Sequence, residues 1–213
     1  MDITAYLSFF LASFTTLFII IDPPGNLPIF IALTERFGDE YREKISKRAT
    51  IIAFLILFIT MVTGGKVLDY FGVSISSLKV AGGILLFITS VDILLGGTRR
   101  EAYRRRAEES IDIDSIAVFP LALPLYTGPG AITAGIVLYS QAGDVIMKLL
   151  VVISAALVYL IVRLSHVYST PIIRLLGRSG ADIAERVLAI FLAAIAVEFV
   201  FDGLAEKLVS MGL

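Results

Sequence analysis

The chain has 213 residues, of which 57% are hydrophobic and 17% charged, and its mean hydropathy is +0.90. A soluble domain has roughly half its residues apolar and about a quarter charged, so this composition predicts an integral membrane protein. The sequence contains no cysteine and one histidine, which excludes disulfides, thiolate chemistry and a multi-histidine metal site. The net charge of −1 gives no sign of nucleic-acid binding.

Six apolar stretches are each long enough to cross a hydrocarbon layer of about 30 Å. They run at about 6–34, 49–65, 78–97, 116–140, 146–165 and 187–205. We therefore predict an all-α protein that is embedded in the lipid bilayer and has six transmembrane helices.

Basic residues are concentrated in the connections after the first, third and fifth spans. These connections, at about 34–48, 98–115 and 163–186, hold 14 of the 18 Lys and Arg residues. Cytoplasmic loops carry such an excess, so we expect a multi-pass protein of the plasma (inner) membrane with both termini outside. The same rule accounts for the run Arg104-Arg105-Arg106 without any nucleic-acid partner.

The first apolar stretch is interrupted by Asp22-Pro23-Pro24-Gly25-Asn26. Proline removes an amide donor and clashes with the preceding turn, and glycine adds backbone freedom. Within hydrocarbon, such a break is tolerated only where it is buried in protein or lines a water-filled cavity. We predict one broken helix here; the alternative is a span at 6–21 followed by a re-entrant piece at 27–33.

The two halves of the sequence resemble each other at an offset of about 105 residues. The matched pairs are Asp22–Gly25 with Thr127–Gly130, Gly38-Asp39 with Gly143-Asp144, and Asp92 with Glu198. Three spans per half force the halves into opposite orientations, which is the inverted repeat of many secondary transporters. We predict two three-helix repeats, 1–107 and 108–213, with the first and fourth helices broken near the midplane.

Each break is expected to offer complementary charges to a ligand. The half-helix that starts there leaves unpaired amides and partial positive charge, at Gly25-Asn26 and Gly130-Ala131. The half-helix that ends there leaves carbonyls, to which Asp22 adds a formal charge. This combination fits a zwitterion, and the glycines favour a small neutral amino acid because they let the backbone approach a ligand closely.

The predicted substrate-binding residues are the two break sequences, Asp22, Pro23, Pro24, Gly25, Asn26, Thr127, Gly128, Pro129, Gly130 and Ala131. Carboxylates within membrane segments are candidates for ion or proton coupling. Three are considered for that role, Asp22, Glu198 and Asp92, with Asp202 as a weaker addition. The single histidine, His166, is expected at the membrane interface on a cytoplasmic helix end.

With these two break sequences and six spans, the chain resembles the MarC family, which includes SnatA-type small neutral amino acid transporters. The resemblance implies transport of glycine, alanine and similar amino acids across the plasma membrane, driven by a proton gradient or, as an alternative, a sodium gradient. It implies no enzymatic activity and no cofactor, and it leaves homo-oligomer formation open.

Three other functions stay open from the residues alone. Broken helices also line channels and exporters, and the family name refers to antibiotic resistance, which raises drug efflux. An intramembrane aspartyl enzyme needs two carboxylates that share a proton. Asp22 has Thr127 as its repeat partner, which argues against a symmetric pair, but a pair with Glu198 is left open.

Overall fold

The computed structural model describes residues 3–96 and 113–212, and in these ranges the chain is built from helices. Residues 97–112 include the five arginines of the second predicted cytoplasmic connection and the boundary between the predicted halves. Those two predictions therefore lie outside the described residues.

The helices follow the apolar stretches in order. The first stretch forms α1 (Ile3–Ile21) and α2 (Pro23–Thr34), and α3 (Asp39–Tyr70) and α4 (Ile75–Leu94) follow. A single turn, α5 (Ile113–Ile116), leads into a kinked segment (Ala117–Tyr126). The last helices are α6 (Pro129–Gln141), α7 (Val145–Val167) and α8 (Ser169–Ser210).

Five stretches are long and apolar enough to cross a membrane, and the kinked segment with α6 forms a sixth that is bent by 57°. The prediction of six apolar helical spans is confirmed when this bent pair counts as one. α1 and α2 together form one candidate span, Ile3–Thr34. This arrangement favours one broken helix over a span followed by a re-entrant piece.

The polar connections predicted at about 34–48 and 163–186 are mostly helical, which corrects the prediction that they link separate helices as loops. α3 already begins at Asp39, and only Tyr168 separates α7 from the 42-residue α8. The acidic first turn of α3 suits the positive end of its helix dipole, and a Glu40–Lys44 ion pair of 2.7 Å lies along its exposed face. Hydropathy detects the part of a helix that fits hydrocarbon and misses its polar extension.

The helices pack around the two breaks. α1 packs on α7, and α3 packs on α7, α6 and the kinked segment. The most extensive interface joins α4 to α8, where glycines bring the backbones together. A Cβ at Gly83 would lie 2.6 Å from the Ala196 carbonyl oxygen, and one at Gly203 would lie 2.6 Å from the Ser76 carbonyl oxygen. Buried Lys79 of α4 also forms an ion pair with Glu206 of α8.

Apolar side chains also cover the outward faces of the bundle. Ile51, Leu55 and Ile59 lie on one exposed face of α3, one turn apart. An apolar surface of this extent marks contact with a membrane or a partner, and with six candidate spans the bilayer accounts for it.

Candidate functional site

The first break is a single residue, Asp22, in the left-handed conformation with φ 50°. Its carboxylate accepts a hydrogen bond of 3.1 Å from the Gly25 amide and so caps the start of α2. Aspartate is among the best residues for this position, and Pro23 fits the first turn because it needs no amide partner.

Asn26 closes the other side of the same break. Its Nδ2 donates to the Ile21 carbonyl oxygen at 2.7 Å, at the end of α1, and its own amide donates to the Asp22 carbonyl oxygen at 3.1 Å. The expectation that the Gly25 and Asn26 amides face a ligand is therefore wrong. The break uses its own side chains to satisfy the groups that two helix ends leave open.

Gly25 has a steric role in this arrangement. A Cβ at position 25 would overlap the Asp22 carboxylate, with its Cγ 2.8 Å away. The glycine therefore makes room for the helix cap, which differs from the close ligand approach that the sequence analysis expected.

The second break is held by neighbouring helices. Thr127 is fully buried, and its hydroxyl donates to the Ala53 carbonyl oxygen of α3 at 2.9 Å. It also lies 2.5 Å from the Tyr159 hydroxyl of α7. The preceding kinked segment is non-helical at Phe119 and Leu123, so this break is longer than the first.

The start of α6 differs from the start of α2. Its first-turn amides have no partner within their own helix, and no side chain of the described residues caps it. Pro129 takes the first helical position and Gly128 precedes it. These amides and the positive end of the helix dipole favour an anionic group.

The two breaks meet at a cavity of about 130 Å³, which we call the break cavity. Six of the predicted substrate-binding residues line it, Asp22, Asn26, Gly128, Pro129, Gly130 and Ala131. The other four, Pro23, Pro24, Gly25 and Thr127, are not among its lining residues. A Cβ on Gly130 would overlap Leu86, so this glycine brings α6 close to α4.

Asn26, which lines the break cavity, carries an unpaired acceptor. The Ile21 carbonyl oxygen can only accept, so the amide nitrogen must face it and Oδ1 must face elsewhere. Among the described residues, Asn26 Oδ1 is one of two buried side-chain polar atoms without a hydrogen-bond partner; the other is Ser13 Oγ. Such an atom is costly to bury unless a ligand or water satisfies it.

α4 contributes cavity residues that the sequence analysis did not select. Leu86, Thr89 and Ile93 line the cavity together with Leu192 of α8. Their composition is that of any apolar membrane helix, so nothing in the sequence distinguishes them from lipid-facing or packing residues.

The structure separates the candidate coupling carboxylates. Asp22 is buried, and it lines the break cavity together with the half-buried Asp92. Glu198 and Asp202 are exposed and are not among the lining residues. The repeat-based match between Asp92 and Glu198 therefore does not correspond to similar surroundings.

This sequence matches the MarC family of integral membrane proteins over residues 7–208. The chain belongs to this family. It is an integral, multi-pass membrane protein.

Similar proteins of this MarC type come from archaea and bacteria. A UPF0056 membrane protein of Archaeoglobus fulgidus is 92% identical over 213 residues, which is 100% of both chains. The UPF0056 membrane protein MJ1677 of Methanocaldococcus jannaschii is 36% identical over 202 residues, covering 95% of this chain and 98% of the relative. YhcE of Escherichia coli is 30% identical over 205 residues, covering 95% and 93%. These names give no substrate, and no solved structure matches the chain.

A second cavity of about 280 Å³ lies in this MarC-family chain at the end of the bundle that carries Arg42 and Arg163. His166 lines it, and its ring is stacked on Phe30 with centroids 3.7 Å apart. The histidine is 4% exposed and bonded through both ring nitrogens, to Ser46 and to Tyr126. His166 is therefore enclosed by protein, and its location at the depth of the membrane interface stays a prediction.

Proposed function

We propose that this MarC-family chain is a secondary active transporter of small neutral amino acids such as glycine and alanine, and that it binds them in the break cavity. One observation carries the proposal. Asn26, whose buried Oδ1 has no partner, and the uncapped start of α6 line the same small cavity.

The cavity chemistry suits a zwitterion. An ammonium group brings three donors and no acceptor, so it satisfies Asn26 Oδ1 and is attracted by the carboxylates of Asp22 and Asp92. A carboxylate suits the first-turn amides at Gly130 and Ala131. The two charged ends of an amino acid thus find opposite kinds of partner.

The volume of the cavity favours a small substrate. A cavity of about 150 Å³ in another protein accommodates benzene, which has as many heavy atoms as alanine. The break cavity, at about 130 Å³, is in that range. Pockets for drug-sized molecules start at about 300 Å³, so the dimensions favour amino acid transport over drug efflux.

The helix arrangement supports alternating access by an inverted repeat, which stays a prediction. α3 begins at Asp39 and α7 begins at Val145, which is within one residue of matched positions in the two halves. α1 of the first half packs on α7 of the second half. The kinked segment and α6 of the second half pack in the same way on α3 of the first half, as expected for two halves related by an inverted repeat. We further propose coupling to a proton or sodium gradient across the plasma membrane.

Uptake into proteoliposomes tests the function. We expect labelled glycine to accumulate under an imposed proton or sodium gradient, and glycine to raise the melting temperature of the purified protein. Glycinamide, which lacks the carboxylate, and acetate, which lacks the ammonium, should both fail to protect. Folded protein that shows neither uptake under either gradient nor stabilisation by glycine or alanine would contradict the proposal.

A matched pair of variants tests the role of Asn26. The chain has one asparagine and one glutamine, and Gln141 is exposed at the end of α6. Asn26→Leu should weaken glycine binding at least about tenfold, because a hydrogen bond to a charged group contributes roughly 1.5–3 kcal/mol. Gln141→Leu should leave binding unchanged, and equal effects would remove Asn26 from the site.

An aspartyl enzyme is the second candidate, because Asp22 and Asp92 line the same cavity. The use of Asp22 as a helix cap argues for a structural carboxylate instead of one that shares a proton. Asp92→Asn separates the two functions. It should abolish any peptide hydrolysis by a dyad, whereas a transporter should still bind glycine.

A further inference from the structure

The second cavity has arginines in its inner part and carboxylates at its solvent-exposed edge. Arg42 of α3 and Arg163 of α7 line it, and their side chains are 24% and 21% exposed. The carboxylates that line it belong to Asp39, which is fully exposed, and Glu43, which is 57% exposed. Charges in solvent are screened more strongly than partly buried ones. The inner part of the cavity is therefore positive and attracts an anionic group.

Arg42 has hydrogen-bond donors that can reach such a group. Its Nη2 donates to the buried Ser169 Oγ of α8 at 3.2 Å. Asp39 Oδ1 lies 3.9 Å from Nη1, which is too far for a hydrogen bond. A guanidinium has five N–H donors in a planar fork, and two of them can bind a phosphate in parallel. Arg42 is thus suited to bind a phosphate while its bond to Ser169 stays in place.

Arg163 adds charge to the same cavity. Its Nη1 donates to Ser46 Oγ of α3 at 2.8 Å, and its Nη2 forms an ion pair with Glu43. The ion pair balances part of the Arg163 charge and leaves that of Arg42 as the larger attraction. We therefore expect Arg42 to make the main contact with an anion in the second cavity.

Exposed tyrosines indicate the depth of this cavity in the membrane. Tyr41 and Tyr168 are exposed, and they directly precede and follow the cavity residues Arg42 and Val167. Tyrosine is enriched at the level of the lipid headgroups. Basic pockets between membrane helices bind the headgroups of anionic lipids. The cavity thus lies where phospholipid phosphates are expected.

An apolar face of α7 begins at the same cavity. Val167 lines the cavity and is half exposed. Three further exposed apolar residues follow on this face at intervals of three or four positions, Leu164, Leu160 and Leu157. With a rise of about 1.5 Å per residue, the face from Val167 to Leu157 is about 15 Å long. That is about half the hydrocarbon thickness, so the face matches one acyl chain in one leaflet.

We propose that the second cavity binds the phosphate of a membrane phospholipid. Arg42 is the principal phosphate ligand, and one acyl chain lies on the face of α7 between Leu157 and Val167. The bound lipid joins α3 to α8, because Arg42 and Ser169 come from these two helices. The site lies apart from the break cavity and does not rest on the proposed transport function, so either proposal can fail alone.

Three probes test which part of the lipid is recognised. Dioleoyl phosphatidylglycerol carries both phosphate and acyl chains, dioleoylglycerol lacks the phosphate, and inorganic phosphate lacks the chains. We expect phosphatidylglycerol alone to raise the melting temperature of the purified protein in detergent. Equal protection by inorganic phosphate would identify a site for free anions, and equal protection by dioleoylglycerol would mean that only the apolar face binds. Either result, or no protection by phosphatidylglycerol, would overturn the proposal.

A pair of arginine variants locates the phosphate contact. Arg42→Gln should weaken phosphatidylglycerol binding, measured by native mass spectrometry, at least about tenfold because it removes charge-assisted hydrogen bonds. Arg48→Gln is the control, since Arg48 is an exposed arginine of α3 that does not line the second cavity. Equal losses in the two variants would indicate a general attraction of anionic lipid to the basic end of the bundle and would contradict a built site.

A labelling experiment keeps both arginines and therefore stands even if Arg42→Gln does not fold. The chain has no cysteine, so Thr170→Cys reports access to the second cavity, which the exposed Thr170 lines. Phosphatidylglycerol at ten times its Kd should slow maleimide labelling of this variant about tenfold. Gly143→Cys, exposed just before the opposite end of α7, is the control. Labelling that phosphatidylglycerol does not slow, or slows equally in both variants, would place the lipid elsewhere.

Discussion

The two breaks use their polar groups in opposite ways. At the first break, Asp22 caps α2 and the nitrogen of Asn26 binds the end of α1. At the second, Thr127 binds α3 and α7, and the start of α6 has no side-chain cap among the described residues. The first break is closed locally, and the second is anchored to its neighbours.

This difference shows where a ligand can bind at a broken helix. Most polar groups at a break are already satisfied by the chain, because unsatisfied ones are costly in hydrocarbon. The proposed site uses the groups that are left over, which are Asn26 Oδ1 from the first break and the α6 amides from the second. Each break thus supplies one end of the proposed substrate contact.

Among the substitutions that test this difference between the breaks, replacement of Asp22 should reduce the stability of the protein most. Asp22→Ala loses the cap, which costs about 1 kcal/mol, and puts alanine in a left-handed conformation, which costs about 1–2 kcal/mol more. Asp22→Asn retains both features and should stay close to the unmodified chain in melting temperature. If the two variants have the same melting temperature, the stability of the first break does not depend on its cap.

A different pair of variants tests the charge of Asp22 in transport, because Asp22→Asn removes the charge and keeps the cap. Asp22→Asn should reduce glycine uptake more than Asp202→Asn, because Asp22 lines the break cavity and Asp202 does not. Equal uptake in the two variants would remove the Asp22 charge from the transport site.

Substitution of Gly25 should have the next largest effect. Gly25→Ala forces the Asp22 carboxylate to move and should destabilise the protein by about 1–3 kcal/mol, as overpacking does elsewhere. Gly38→Ala is the control, because a Cβ there would meet nothing within 4 Å. Chemical denaturation measures the free energy of unfolding of both variants. If Gly25→Ala leaves that free energy unchanged, the Asp22 cap rearranges readily.

Thr127 should matter for stability and not for substrate affinity. Thr127→Val keeps the shape but loses the bonds to the Ala53 oxygen and the Tyr159 hydroxyl, at a net cost of about 1 kcal/mol. The KM for glycine should be unchanged, since Thr127 does not line the break cavity. A large rise in KM would place the hydroxyl in the substrate site after all.

The smallest effect is expected at the far end of the first broken helix. The Tyr6 hydroxyl donates to Asp144 at 2.7 Å, and this bond, followed by that from the Met147 amide, holds the pKa of Asp144 below its ordinary value of 3.8. A lowered pKa contributes stability that is present above the ordinary value and is lost as pH falls through the folded-state value.

Tyr6→Phe should therefore lower the melting temperature slightly near neutral pH, and the difference should disappear in acid. Melting curves between about pH 6 and pH 2.5 check this expectation. A difference that stays constant over that range would mean that the hydroxyl acts through packing and not through the carboxylate.

The sequence was informative about the spans and the break positions for a clear physical reason. Hydrocarbon requires long apolar helices, and proline with glycine inside one of them has few explanations. It was less informative about Asn26 and Thr127, because a polar side chain at a break can bind either a ligand or the chain itself. It was uninformative about Leu86 and Leu192, which line the cavity but resemble every other apolar helix residue.

The histidine shows the same limit in another way. Its position near the end of an apolar stretch, beside Arg163, suggested the membrane interface. That prediction did not include the enclosure of the ring, which arises because the polar start of α3 supplies Ser46 and because Phe30 and Tyr126 also lie against the imidazole. Enclosure of this kind depends on how neighbouring helices extend, which the local sequence around position 166 does not contain.

The glycine contacts between α4 and α8 have a consequence for selectivity. Backbones that touch at Gly83 and Gly203, with the buried Lys79 tied to Glu206, leave little room for one helix to slide on the other. Leu86 and Leu192 belong to this stiff pair and form one wall of the break cavity. In the proposed transport cycle this wall would keep its position, so it would limit the length of the substrate side chain equally on both sides of the membrane.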